Sequence, residues 1–118
     1  MTMGDSLRVT EYLTHIVDAI DRIILYVDGM TQQAFLEDPK TQDAVVRNFE
    51  VAGEAAHNVE TRHAAFAALH SDVPWAIMYT MRNRIAHGYF KVDFELVWKT
   101  IQVDLPPLRA RVGALIGR

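Results

Sequence analysis

The chain has 118 residues, half of them apolar and 23% charged, with no cysteine and a formal net charge of −3. This length suits one compact domain, so residues 1–118 are predicted to form a single globular domain. The missing cysteine excludes disulfides, thiolate catalysis and cysteine-based zinc sites. The acidic balance argues against a broad basic face for nucleic acid, so any phosphate contact must come from a local cluster of cations.

The N-terminal residues lack the basic start and apolar run of a signal peptide. No apolar stretch approaches the roughly 20 residues that a membrane-spanning helix needs. We therefore expect a cytoplasmic protein that does not associate with a membrane.

The first segment carries apolar residues at steps of three and four, which predicts an amphipathic helix from Leu7 to Val27. Asp28-Gly29 is typical of a helix end, since glycine readily takes the left-handed conformation found there. A short helical turn capped by Thr31 is predicted to follow, ending near Glu37.

A second long helix is predicted to begin at Asp38, a capping residue followed by proline, and to continue to about Val59. Alanine dominates its second half, and Gly53 lies among the alanines. Small residues let a neighbouring helix approach closely, so we expect a tight helix–helix contact on this face. Glu50 and Glu54 share one side of the helix, and a solvated face or an ion pair is the favoured interpretation.

Three further helical segments are predicted: Thr61 to His70, Pro74 or Trp75 to about Ala86, and a last segment capped by Asp93. Pro106-Pro107 falls inside the last pattern, so we expect a kink or a break there. No alternating pattern of useful length indicates a strand. The predicted fold is all-α, a single up-and-down bundle of about five to six helices.

The densest basic cluster of the sequence is MRNRIAHGYF, residues 81–90, and two interpretations of it are open. It is typical of an ordinary helix end, where cations favour the negative end of the helix dipole and Gly88 closes the helix. It also suits a phosphate site, because Arg82 offers a planar fork of donors and His87 can carry a proton either way near neutral pH. Tyr89 adds a hydroxyl beside them. Without clustered carboxylates for a metal, this set suits metal-independent cleavage of RNA.

The same stretch resembles the signature of the HEPN superfamily, an arginine followed by a polar residue and, after three more residues, a histidine. The tyrosine two residues later resembles the HepT-like branch, the toxins of HEPN/MNT toxin–antitoxin systems. Flanking pieces agree in order: Gly53-Glu54-Ala55, Val73-Pro74-Trp75, Phe90-Lys91-Val92-Asp93 and Val97-Trp98. The resemblance therefore covers nearly the whole chain.

This resemblance implies a HEPN-type bundle that acts as a ribonuclease toxin, needs no cofactor or metal, and pairs with a minimal nucleotidyltransferase (MNT) antitoxin. It implies that Arg82 and His87 are catalytic, that Asn83 supports them, and that Tyr89 accepts AMP from the antitoxin. AMP would place bulk and negative charge where an RNA phosphate must bind. The resemblance further implies a homodimer in which the two motifs face each other across a two-fold axis.

Arg84 and Lys91 are candidate substrate contacts, although Arg84 is equally open to a structural pairing with a carboxylate such as Glu54. Two other function classes are also open. The chain could be a non-catalytic subunit that presents substrate or nucleotide to the nucleotidyltransferase, or an ordinary dimeric structural protein. The pairing of Arg82 with His87 favours the enzyme, because an adaptor needs no group for proton transfer.

Two further sets of residues are interpreted as structural. His57, His63 and His70 are six and seven residues apart, wider than the usual spacing of helical metal ligands, and are therefore interpreted as surface histidines. The large aromatic residues are interpreted as core or dimer packing rather than as platforms for nucleobases: Phe49, Trp75, Phe90, Phe94 and Trp98.

Overall fold

The computed structural model describes residues 2–86 and 92–118, with side chains described for residues 8–84 and 92–118. Within these ranges the chain forms seven α-helices, one π-helical turn and no strand. In order they are α1 (Thr2–Tyr26), α2 (Gln32–Leu36), α3 (Pro39–Arg62), α4 (Ala64–Leu69), α5 (Trp75–Ala86), α6 (Phe94–Lys99), the π turn (Thr100–Asp104) and α7 (Leu105–Leu115). Because α6, the π turn and α7 are continuous, the described chain has six separate helical segments. The all-α prediction is confirmed.

Local signals in the sequence determine several helix boundaries. Thr31, Asp38 and Asp93 cap α2, α3 and α6, each accepting a hydrogen bond of 3.1 Å from the backbone N–H three residues further on. Pro39 occupies the first turn of α3, where its missing N–H is not needed. After α1, Gly29 adopts a positive φ of 76°, the left-handed conformation expected of a glycine at a helix end.

Two long helices extend beyond their predicted limits. α1 begins at Thr2 rather than Leu7, and α3 continues to Arg62 rather than stopping near Val59. The predicted limits were set by the outermost apolar residues. Backbone hydrogen bonding does not require an apolar side chain, and the N–H of His63 still donates to the Val59 carbonyl at 3.0 Å.

Of the two outcomes predicted at Pro106-Pro107, a kink or a break, the break does not occur. The five residues Thr100–Asp104 form a π-helical turn, and α7 then takes both prolines into its first turns. A proline has no N–H to donate to the preceding turn, and the wider π geometry accommodates that loss without interrupting the helix. The last segment therefore changes helix type instead of ending.

α3 lies between α1 and α5 and packs extensively against both, while α7 packs against α1. Tyr12, near the middle of α1, lies beside His63 at the end of α3, with ring centroids 6.1 Å apart. None of the helices in the described ranges combines the length and apolarity needed to span a membrane. The centre of the bundle consists of fully buried side chains: Ile16, Val17, Ile20, Ile23, Phe35, Val45, Val59 and Val112.

Of the large aromatic residues predicted to pack, the four that the structure describes lie in this core or against it. Trp75 is 4% exposed, and its indole N–H donates to a backbone carbonyl at 3.1 Å. Trp98 and Phe94 pack on Phe35, with ring centroids 5.4 and 6.0 Å apart, and Phe49 is buried. These rings stabilise the bundle and are not displayed for stacking with nucleobases.

Ion pairs hold the C-terminal end of the chain on α1. Arg109 donates from Nε and Nη2 to the two carboxylate oxygens of Asp21, at 2.9 and 3.2 Å, and from Nη1 to the Arg118 carbonyl at 2.8 Å. Arg118 in turn donates to Asp18 at 2.9 Å. The hydrogen bond from Arg109, with the positive charges of both arginines, lowers the pKa of Asp21 despite partial desolvation, and the same bond raises the pKa of Arg109. We call Arg109, Asp21, Arg118 and Asp18 the C-terminal ion-pair cluster.

Candidate functional site

Arg82 lies in α5 at a point where this helix packs closely on α3. A β-carbon added at Gly53 of α3 would overlap the β-carbon of Arg82 and would lie 2.9 Å from the carbonyl oxygen of Met78. No residue larger than glycine fits there without displacing α5. The close contact predicted around Gly53 is confirmed, and it fixes the position from which the Arg82 side chain extends.

The guanidinium of Arg82 is only partly committed to protein partners. Its Nη1 donates to the side-chain oxygen of Asn83 at 2.9 Å. Its Nε is buried and has no hydrogen-bond acceptor among the described residues. Since a guanidinium carries five N–H donors, most donors of Arg82 remain open to an oxygen-rich ligand such as a phosphate.

Glu54 approaches Arg82 and not Arg84. Its Oε2 lies 3.9 Å from Nε of Arg82, which is beyond hydrogen-bond distance, and the Glu54 side chain is 52% exposed. Such a pair is weak because solvent screens it. Arg84 is exposed and forms no ion pair within the described ranges, so the structural pairing with Glu54 is not formed. A role for Arg84 in contacting substrate stays a prediction.

The second half of the motif falls outside the described residues. His87, Tyr89 and Lys91 belong to residues 87–91, as does Phe90. The structure therefore positions the arginine and its polar neighbour, whereas the assignments of His87 as catalytic, Tyr89 as the AMP acceptor and Lys91 as a substrate contact stay predictions.

Two rings that the sequence analysis did not assign to the site lie beside Arg82. Tyr79, one turn earlier in α5, stacks on His57 of α3 with ring centroids 3.9 Å apart and an interplanar angle of 16°. The guanidinium carbon of Arg82 lies 6.0 Å from the centroid of the Tyr79 ring. Spacing could have revealed this arrangement, because Tyr79 is three residues from Arg82 and His57 is three from Glu54, which places each pair on one helix face.

The three histidines interpreted as surface residues lie at the edge of the core, each beside an aromatic ring. All three are half-buried. His57 stacks on Tyr79, His63 lies 6.1 Å from the Tyr12 ring, and His70 lies 4.5 Å from the Phe66 ring. An imidazole has two apolar faces and packs at the edge of a core as readily as a small aromatic ring. Where the chain is described, no group of three or more potential metal ligands comes together.

An apolar groove of about 430 Å³ runs along the α5 side of the bundle, between α1, α3, α5 and the start of α7. Its walls include Phe49, Met78, Met81 and Leu108, and Gly53 lies on its floor. Neither Arg82 nor Tyr79 lines it. The groove is thus separate from the cationic site, although both depend on the contact between α3 and α5.

Comparison with known proteins agrees with this geometry. The family model described as "Ribonuclease HepT-like" matches residues 16–115, which include the whole of the Arg82 site. The chain belongs to the HepT-like ribonuclease family. The HepT-like identity expected from the motif is thereby confirmed.

Among the HepT-like relatives, "Probable ribonuclease HepT" of Thermococcus cleftensis is 39% identical over 105 residues, which cover 89% of this chain and 93% of that protein. "Putative RNase TTE0752" of Caldanaerobacter subterraneus subsp. tengcongensis is 34% identical over 105 residues, which cover 89% of this chain and 91% of that protein. No solved structure gives a significant match. The names of both relatives refer to ribonucleases, and both matches span nearly the full length of each protein.

Proposed function

We propose that this HepT-like protein is a metal-independent endoribonuclease that acts in the cytoplasm as the toxin of a toxin–antitoxin pair. The observation that carries the proposal is the state of Arg82. Its β-carbon is held by close packing against Gly53 and its Nη1 donates to Asn83, yet the side chain is 25% exposed and forms no other hydrogen bond with the described residues. An arginine held in place with open donors is suited to bind a phosphate. The ribonuclease names of the two relatives support RNA as the source of that phosphate.

In the proposed reaction, a base removes the proton of a ribose 2′-hydroxyl, and the resulting alkoxide attacks the adjacent phosphorus. The bond from the 2′-oxygen to phosphorus forms while the bond from phosphorus to the 5′-oxygen breaks, which leaves a 2′,3′-cyclic phosphate and a 5′-hydroxyl. Arg82 would stabilise the negative charge that accumulates on the phosphate oxygens in the transition state. Asn83 would keep the guanidinium in orientation through the hydrogen bond to Nη1.

His87 is the proposed proton-transfer group. One histidine cannot easily act as base and acid in the same step, and two related by a two-fold axis could share the work. We therefore propose a homodimer in which the Arg82 and His87 faces of two copies form one cleft. Arg84, which is exposed on α5, and Lys91 would contact neighbouring phosphates of the RNA.

Neutralisation is proposed to occur at Tyr89, through transfer of AMP by an MNT-type nucleotidyltransferase. The phenolic oxygen would attack the α-phosphorus of ATP, and pyrophosphate would leave. The added phosphate and nucleoside would then compete with RNA for the open donors of Arg82. Adding AMP thus blocks the site electrostatically and sterically.

Growth of cells that express the chain alone tests the catalytic part of the proposal. Arrest is expected with the native sequence, and relief is expected with Arg82→Ala or His87→Ala at equal levels of folded protein. Arrest that persists in both variants would contradict the site assignment. A chain that binds RNA or nucleotide without cutting RNA would instead be a non-catalytic subunit of the nucleotidyltransferase.

The intact mass of the chain co-expressed with its nucleotidyltransferase tests the neutralisation step. A gain of one or more AMP units is expected, and Tyr89→Phe should remove it. Tyr26→Phe is a matched control, since Tyr26 is 40% exposed and lies outside the motif. A gain that survives in Tyr89→Phe would contradict the choice of acceptor.

A further inference from the structure

His57 is a half-buried titratable residue to which the proposed reaction gives no role. Its Nδ1 is buried and has no hydrogen-bond partner among the described residues. The imidazole is therefore not oriented by hydrogen bonds at that atom. What fixes the ring is the Tyr79 ring, stacked on it at a centroid distance of 3.9 Å and an interplanar angle of 16°.

The Tyr79 ring, which stacks on His57, also lies near the Arg82 guanidinium. The Arg82 guanidinium carbon lies 6.0 Å from the centroid of the Tyr79 ring, at the outer limit of a cation–π contact. The Oε2 of Glu54 is too far from Nε of Arg82 to hold it by a hydrogen bond, at 3.9 Å. Apart from Asn83, the Tyr79 ring is thus the described feature best placed to restrict where the guanidinium can move.

The stacked face of Tyr79 and the Nδ1 of His57 are both closed to a substrate. The face of Tyr79 that His57 covers is closed to a nucleobase, because the two rings are in contact. The buried Nδ1 of His57 cannot exchange a proton with a substrate in solvent. The arrangement instead links α3 to the Arg82 side chain in two steps, from imidazole to phenol and from phenol to guanidinium.

We infer that His57 and Tyr79 are positioning residues for Arg82. The imidazole holds the phenol ring by stacking, and the phenol ring forms the wall that keeps the guanidinium in the orientation its phosphate contact requires. This inference rests on the proposed function of Arg82. It depends on the flat rings and not on the imidazole nitrogens or on the phenolic hydroxyl.

The test compares ring-removing with ring-retaining variants in RNA cleavage by the full chain. His57→Ala and Tyr79→Leu are each expected to lower kcat/KM roughly 10-fold, since small misplacements of a transition-state contact are costly. His57→Phe and Tyr79→Phe should retain activity within about twofold of the native chain. In an Arg82→Ala background, His57→Ala should have no further effect, because the group it positions is gone.

A second measurement does not depend on catalysis. The Arg82 Nε–H signal, assigned by its loss in Arg82→Lys, can be followed by ¹⁵N NMR for its exchange with water. Because Nε is buried, exchange should be slow in the native chain and in His57→Phe, and this protection should be lost in His57→Ala. His70→Ala is the matched control, since it removes a ring that packs on Phe66 with its centroid 4.5 Å away, and should leave the signal unchanged.

The outcomes separate this inference from the proposed function. Unchanged activity and unchanged Nε–H protection in a folded His57→Ala would overturn the positioning role. Loss of protection in His57→Phe equal to that in His57→Ala would also overturn it, because stacking would then not be the cause. If the native chain cuts no RNA, the ribonuclease proposal fails, and the exchange measurement still decides whether His57 and Tyr79 position Arg82.

Discussion

Arg82 and Arg109 are equally exposed, with 25% of each side chain accessible to solvent, but the protein holds them in different ways. Arg109 makes three hydrogen bonds in the C-terminal ion-pair cluster, two to Asp21 and one to the Arg118 carbonyl. Arg82 makes one, to Asn83, and its Nε is buried without an acceptor among the described residues. The two arginine side chains are therefore equally exposed, but Arg109 has more of its N–H donors hydrogen-bonded than Arg82 does.

The difference separates an arginine that holds the fold together from one that is available to a ligand. A guanidinium stabilises the folded state when most of its N–H donors are hydrogen-bonded. A guanidinium with few hydrogen bonds at the edge of a core contributes little to the free energy of unfolding. A site whose N–H donors lack partners in the protein is less stable than one with all donors hydrogen-bonded, but those donors can bind a ligand. This contrast predicts opposite responses of activity and stability when the two arginines are changed.

The largest effect is expected for Arg82→Ala. Loss of the transition-state contact should lower kcat/KM for RNA at least about 100-fold. The free energy of unfolding should change by less than about 0.5 kcal/mol, because the side chain makes one hydrogen bond and one weak ion pair. Steady-state cleavage and urea denaturation check the two parts. A large loss of stability would show that Arg82 is a structural residue like Arg109, which would contradict the proposed difference between the two arginines.

Gly53→Ala is expected to affect both properties. A β-carbon at this position overlaps that of Arg82, so α5 must shift, at a cost of about 1–3 kcal/mol in the free energy of unfolding. The displaced guanidinium should lower kcat/KM roughly 10-fold.

Gly29→Ala provides a matched control for Gly53→Ala. Gly29 has a positive φ of 76° and open space around its missing side chain, so alanine should cost about 1–2 kcal/mol through backbone strain alone. Native activity in Gly29→Ala and reduced activity in Gly53→Ala would separate displacement of Arg82 from loss of stability. Equal activities in both variants would show that the close approach of α5 has no bearing on the site.

Arg109→Ala should produce the reverse of Arg82→Ala. Loss of its bonds to Asp21 and to the Arg118 carbonyl is expected to lower the free energy of unfolding by about 1 kcal/mol, which corresponds to a fall in Tm of roughly 4–8 °C. Cleavage of RNA below the melting range should be unchanged. Thermal unfolding followed by circular dichroism measures the fall in Tm. Reduced activity of fully folded Arg109→Ala would contradict a purely structural role for Arg109.

The smallest effect concerns pH. The pKa of Asp21 in the folded chain lies below its ordinary value of 3.8, because Arg109 donates hydrogen bonds to the carboxylate and both Arg109 and Arg118 attract it. A lowered pKa contributes stability above the ordinary value, and that contribution is lost as pH falls through the folded-state pKa. Asp21→Asn should therefore be less stable than the native chain at pH 7, by under about 1 kcal/mol. The gap in urea midpoints should narrow below pH 3.8, and a gap that widens in acid would contradict the assignment.

The sequence predicted individual residues of the Arg82 site better than the contacts between those residues. Gly53 was expected at a close helix contact and Arg82 at a phosphate site, but nothing in the sequence showed that these two residues touch, because they belong to different helices. The ring contact of His57 was not predicted, because its partner Tyr79 lies on a different helix, α5. The prolines predicted a kink or a break, and the apolar pattern carries no clear mark of the π turn that precedes them.

The most direct test of the central claim is cleavage of a defined RNA in excess EDTA by the purified native chain, by Arg82→Ala and by Arg109→Ala. The native chain and Arg109→Ala should cut at similar rates, leaving 2′,3′-cyclic phosphate and 5′-hydroxyl ends, and Arg82→Ala should cut at least about 100-fold more slowly. Cleavage that EDTA abolishes, or that proceeds at the native rate in folded Arg82→Ala, would contradict a metal-independent reaction centred on this arginine.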